Sequence, residues 1–184
     1  MSRVQWKRHL TFKLAMALVV WPLEARADTV GEVQFGWLHP LTGHAQYGNG
    51  FVTAFRFSYF PQDWPKTLIG ITGGMDVAFP TIGRLGFAKQ TQGEFRFLVG
   101  ARVVAPVSKH LGLSADVLGG LVGISVYTLM LSFGPKYVTR NVVIGIGADL
   151  VRSFAPGYDS EGGNFPDPSG TILQFGANVG ARWL

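Results

Sequence analysis

The 184-residue sequence predicts an all-β chain folded as an eight-stranded antiparallel transmembrane β-barrel. Three observations predict it: an export-type segment at the N-terminus, a period-two alternation of apolar with small or polar residues that recurs eight times, and connections that alternate between short and long.

Arg3, Lys7, Arg8 and Lys13 precede an apolar run from Leu14 to Leu23, which leads into Ala25-Arg26-Ala27. A basic region, a short apolar core and a small-x-small site in that order make a secretory signal peptide. The run of about ten residues is half of the roughly 20 that a membrane-crossing helix needs, so cleavage after Ala27 is expected and not a retained anchor. Residues 1–27 are assigned to a cleaved signal and residues 28–184 to one barrel domain.

Without that segment the chain carries 11 Lys and Arg against 10 Asp and Glu. The basic character of the whole sequence therefore indicates no nucleic-acid partner. The lack of cysteine excludes disulfides, thiol catalysis and thiolate metal sites. A hydrophobic content of 47% with 25 glycines and no second long apolar run fits a barrel better than a helical membrane protein.

The first expected strand, Thr29 to Leu38, sets Val33, Phe35 and Trp37 against Glu32, Gln34 and Gly36. Gly50 to Phe60 sets Phe51, Phe55, Phe57 and Tyr59 against Ala54, Arg56 and Ser58. Thr67 to Phe79 sets Ile69, Ile71, Met75 and Val77 against Thr72, Gly74 and Asp76, and Glu94 to Ala105 sets Phe95, Phe97, Val99 and Val103 against Arg96, Gly100 and Arg102. Leu111, Leu113 and Val117 oppose Ser114 and Asp116; Tyr127, Leu129, Leu131 and Phe133 oppose Thr128, Met130 and Ser132. Val142, Ile144, Ile146 and Leu150 oppose Gly145, Gly147 and Asp149, and a last strand, Thr171 to Leu184, opposes Phe175, Val179 and Trp183 to Gln174, Asn178 and Arg182. Segments of roughly ten residues match a tilted strand crossing a bilayer.

Short links are expected at Pro61 to Lys66, Pro106 to His110 and Thr139 to Asn141, and longer ones at His39 to Asn49, Pro80 to Gly93 and Phe154 to Gly170, with a short third outer loop near Gly119 to Ser125. An even number of strands then leaves both termini on the short-turn, periplasmic side.

Alternation alone does not say which face is inside, because soluble barrels alternate too. Side-chain volume decides. Phe, Leu, Ile, Tyr and Trp crowd the apolar face and are too bulky for the interior of eight strands, whereas Gly, Ala, Ser and Thr with a few long charges fit it. The apolar face is therefore expected to point into lipid. Aromatic girdles are expected from Trp37, Phe51, Phe79, Tyr127 and Phe154 at the loop end and from Tyr59, Tyr137 and Trp183 at the turn end.

The expected lumen holds five acids, Glu32, Asp76, Glu94, Asp116 and Asp149, and five bases, Arg56, Arg96, Arg102, Lys136 and Arg182. Isolated charges in a narrow interior are costly, so matched numbers predict a paired network that fills the lumen; a conducting or binding pore is the alternative. Antiparallel closure of the first strand on the last predicts a Glu32–Arg182 pair.

With these features the chain from Thr29 to Leu184 resembles the small Gram-negative outer-membrane barrels of the OmpA transmembrane domain, OmpX and OmpW type. The terminal strand, with Phe175, Val179 and a penultimate Trp183, looks like the C-terminal signal read by the outer-membrane insertion machinery. The resemblance implies an outer-membrane location, contact with membrane lipid and lipopolysaccharide, and passage through periplasmic chaperones to that machinery. The leading expectation is a non-enzymatic structural or surface-interaction role with an unnamed ligand at the outer loops; the alternatives are an OmpW-like passive pore and a lipid A-modifying enzyme.

Tests for chemistry give no catalytic, cofactor or metal site. The lipid A deacylases of that membrane carry a His-x-Ser pair on a strand, and this chain has none; His110 and Ser114 are four strand residues apart, about 13 Å. His39 and His44 have no serine beside them to activate. Gly145-Ile-Gly147-Ala-Asp149 lacks the third glycine and the helix of a dinucleotide turn. Asp159, Glu161, Asn164 and Asp167 match no calcium-loop spacing.

Overall fold

The computed structural model describes residues 27–42, 47–82, 90–91, 93–122, 126–154 and 169–183. Apart from Ala27, the expected signal peptide lies outside them. In chain order the strands are β1 (Asp28–Thr42), β2 (Tyr47–Phe60), β3 (Leu68–Ile82), β4 (Gln90–Thr91), β5 (Glu94–Pro106), β6 (Leu111–Val122), β7 (Val126–Val138), β8 (Val142–Phe154) and β9 (Gly170–Trp183). Every pairing is antiparallel, and β1 bonds to both β2 and β9, so the eight long strands close into a barrel. The two-residue β4 is an arm on the loop end of β3.

The long strands run 12 to 15 residues, beyond the roughly ten expected. The extra length lies mostly at the loop end. β1 continues through Pro40 to Thr42 and β2 begins at Tyr47, so both ends of the stretch expected as a loop from His39 to Asn49 are strand. The stretch expected as a loop from Pro80 to Gly93 likewise holds the end of β3 and all of β4. Alternation marks a strand only where its two faces meet different surroundings; past that zone the backbone ladder carries on without the signal.

The inside–outside assignment holds along each strand: β5 and β6 alternate exposed and buried almost without a break. Outward residues such as Ile71 and Val99 are each 67% exposed. Inward glycines let the strands coil tightly: a Cβ at Gly74 would run into the carbonyl oxygen of Phe55, and one at Gly100 into that of Val117.

The lumen is layered. At the loop end Leu38, Val52, Ala78, Leu98, Leu118, Met130, Val151 and Ile172, one from each long strand, meet in a buried apolar ring. At the turn end Val30, Phe60, Leu68, Val104, Val138 and Val143 form a second cluster, against which Trp64 packs from the β2–β3 turn. Most of the charged residues lie between the two.

Candidate functional site

The lumenal charges occupy alternate positions of strands whose other positions are apolar, so each is held on the inner face by the parity of its whole strand. Glu32 on β1 is at the centre. It ion-pairs with Arg102 of β5 and Lys136 of β7 and accepts a hydrogen bond from Asn178 Nδ2 of β9 at 2.7 Å. Arg102 also grips Asp116 in a fork, Nε to Oδ1 at 2.9 Å and Nη2 to Oδ2 at 2.7 Å. Its Nη1 donates to Ser58 Oγ at 2.9 Å, and Ser58 donates to Thr72. A buried guanidinium offers five donors, and this one meets two carboxylates and a hydroxyl, which offsets its loss of water.

Closer to the loop end Arg56 pairs with Asp76, and its Nη2 lies 3.5 Å from Met130 Sδ of the apolar ring. Arg96 is fully buried, and its Nη2 reaches Glu94 at 3.3 Å. Asp149 is held by neutral donors, Gln34 Nε2 at 2.8 Å and the Ser132 hydroxyl. At the turn end Arg182 binds Asp28, with Nε 2.7 Å from both carboxylate oxygens and Nη2 2.6 Å from Oδ2.

The expected Glu32–Arg182 pair does not form. Arg182 lies opposite Val30 and Glu32 opposite Gly180 in the β1–β9 ladder, so the two side chains are two positions apart along the seam. Each finds a different partner: Arg182 takes Asp28, which sequence reading left out of the lumen, and Glu32 turns across the interior to β5 and β7. Depth in a tilted, staggered barrel depends on the register of every pair between two strands, and parity does not contain it.

The eight aromatics expected at the strand ends all lie on the outer face. Trp37 pairs with Phe51, and Phe51 with Phe79, across β1, β2 and β3; the Trp37 and Phe51 rings meet edge to face at 4.8 Å. Phe175 of β9 extends that row opposite Trp37, a position sequence reading did not assign to a girdle. Tyr127 and Phe154 face each other on β7 and β8. At the turn end Tyr59 and Trp183 both flank Thr29, and Tyr137 packs its ring 5.8 Å from that of His110.

The two apolar clusters were missed as well. Their signature was present as breaks in the alternation, in triplets such as Phe97-Leu98-Val99 and Leu129-Met130-Leu131. Within the barrel, the charged layer adjoins two cavities of about 20 Å³, each with room for about one water.

Among the residues considered for chemistry, Ser114 faces inward and donates to the Gly134 carbonyl at 3.1 Å, whereas His110 sits exposed in a turn with Nδ1 3.3 Å from the Val138 carbonyl. His39 Nδ1 meets Asn49 Oδ1 at 2.6 Å. His44 and the Asp159–Asp167 group lie outside the described residues. Among the described residues no three His, Asp or Glu gather as metal ligands.

No family model matches the chain, and no curated protein matches it. Among solved structures, the chain is similar to outer membrane protein H (OprH) from P. aeruginosa in DHPC micelles, at 14% identity and a TM-score of 0.43, over 83% of this chain and 98% of that one. It is similar also to Neisserial surface protein A (NspA), at 14% identity and a TM-score of 0.42, over 85% of this chain and 97% of that one.

Proposed function

We propose that this chain is an integral outer-membrane barrel with a closed lumen, and that its role is structural or one of surface interaction through its outer loops. The observation that carries the reading is the inversion of the two faces: the residues left outside are Phe, Leu, Ile, Val, Tyr and Trp, while Glu, Asp, Arg and Lys are buried within. A water-soluble protein does not expose apolar surface around its whole girth. No described helix is long and apolar enough to cross a membrane, and a closed barrel crosses with strands, every backbone group being satisfied within the wall. Cleavage after Ala27 and periplasmic termini belong to the same proposal, as do the two aromatic girdles.

A packed lumen favours this reading over the OmpW-like pore, since an ion would have to breach both apolar seals and a network of ion pairs. A lipid A-modifying activity has less support, because Ser114 and His110 are held by separate backbone carbonyls. The test is twofold. The protein extracted in detergent is expected to change gel mobility on boiling, and reconstituted into a planar bilayer it is expected to pass no single-channel current. Solubility without detergent would refute the membrane reading, and steady conductance would refute the closed lumen.

A further inference from the structure

Three turns meet at the end of the barrel opposite the outer loops, and between them lies a cavity of about 730 Å³. Its wall includes Asp63 and Trp64 from the β2–β3 turn, Lys109 and His110 from the β5–β6 turn, Arg140 from the β7–β8 turn, and Arg182 of β9. The turns are fastened to one another. Trp64 Nε1 donates to the Lys109 carbonyl at 2.7 Å, Val138 N to the His110 carbonyl at 2.7 Å, and Arg182 Nη1 to the Thr139 carbonyl at 3.0 Å. The cavity is thus a shaped feature with a volume typical of small-molecule sites.

The charges around it are arranged unlike those elsewhere. Among the described residues Arg56, Arg96, Arg102, Lys136 and Arg182 each meet an acid, and Arg152 donates to Thr171 while covering the Phe154 ring. Lys66, Lys109 and Arg140 have no such side-chain partner, and all three belong to the turns, two of them in the cavity wall. Asp63 also lies in the wall, and one of its carboxylate oxygens, Oδ1, is buried with no hydrogen-bond partner. A buried acceptor without a donor is costly. Free cations, a carboxylate and an indole therefore share one concavity.

We propose that this cavity binds a small acidic molecule that carries a phosphate or carboxylate together with an ammonium or hydroxyl donor. Lys109 and Arg140 hold the anionic group, Arg140 with a planar fork suited to it. The Asp63 carboxylate accepts from the donor, and Trp64 packs against the carbon skeleton. In the proposed orientation the site opens to the periplasm, but the binding chemistry does not depend on that orientation.

The test uses the protein purified from membranes, ¹⁵N-labelled and placed in phosphatidylcholine nanodiscs, with O-phosphoserine and inorganic phosphate as probes. O-phosphoserine is expected to cause saturable shifts at the Trp64 indole N–H and at amides of the three turns, with the loop-end strand resonances unmoved. The double variant Lys109→Gln/Arg140→Gln, with its strand resonances intact, is expected to bind about tenfold more weakly or worse, from the loss of two charge contacts. Asp63→Asn is expected to keep inorganic-phosphate binding and to erase the preference for O-phosphoserine. Non-saturable shifts, or a double variant that binds like the parent, overturn the site; equal affinity of the parent for the two probes overturns the role of Asp63. Turn shifts that appear on changing to phosphatidylglycerol discs, with no response to O-phosphoserine, overturn a soluble ligand in favour of a lipid headgroup.

Discussion

The two ends of the lumen are closed by different means. At the loop end every long strand contributes one inward apolar side chain, and the eight meet in a ring with Leu38, Ala78, Leu118 and Val151 fully buried. At the turn end six inward residues leave the seal incomplete, and Trp64 is brought in from outside the sheet, tied down by a single hydrogen bond to Lys109. One seal is thus a property of the sheet, the other a joint product of sheet and turn. Between them the charged layer is capped at both ends by apolar side chains, and the seals stay apart because the charged layer fills the space between them.

Removing the centre of that layer breaks the comparison most severely. Glu32→Ala leaves Arg102 short of one carboxylate and deprives Lys136 of its acid, and should destabilise the barrel by about 3 to 5 kcal/mol, as for one partner of a buried pair. Urea unfolding in detergent measures it; a loss under ~1 kcal/mol would mean that water already reaches the layer. Leu118→Ala opens the loop-end ring and should cost about 2 to 5 kcal/mol, as for a buried leucine truncated in a packed site.

Trp64→Ala is expected to cost less than Leu118→Ala, on the order of 1 to 2 kcal/mol, because the indole is half-buried and its hydrogen bond is exchanged for one to water. Planar-bilayer current should stay at baseline in both variants, since each leaves the opposite seal in place. Conductance in the Trp64 variant alone would show that the loop-end ring is no barrier.

The smallest effect sharpens the seam between the ends. In a double-mutant cycle Glu32→Gln and Arg182→Gln should add within about 0.5 kcal/mol, as residues without a shared contact do. Asp28→Asn with Arg182→Gln should couple by more than that. Coupling in the first cycle and none in the second would restore the pairing expected from sequence alone and shift the β1–β9 register.

The features of this molecule legible beforehand are those that depend on one strand at a time. Phe35 and Trp37 point away from Glu32 and Gln34 whatever the rest of the chain does, so the number of strands and the two faces could be read directly. Tyr59 and Trp183 were placed at the same end and lie on either side of Thr29. The inward apolar rings were not read, because Leu98 between Phe97 and Val99 looks like one more hydrophobic residue until seven others meet it. The turn-end cavity was hidden in the same way, since Asp63, Lys109 and Arg140 come from separate turns.

The sequence by itself determined the parity of every strand, and with it the apolar outside and the charged inside, since a slip of one residue would move a whole strand's apolar set into the lumen. Only the tertiary structure decided which inner charges meet. Stagger between strands carries Glu32 to Arg102 and Lys136 and leaves Arg182 to Asp28, because height along the barrel axis accumulates over every ladder, and no single segment records it.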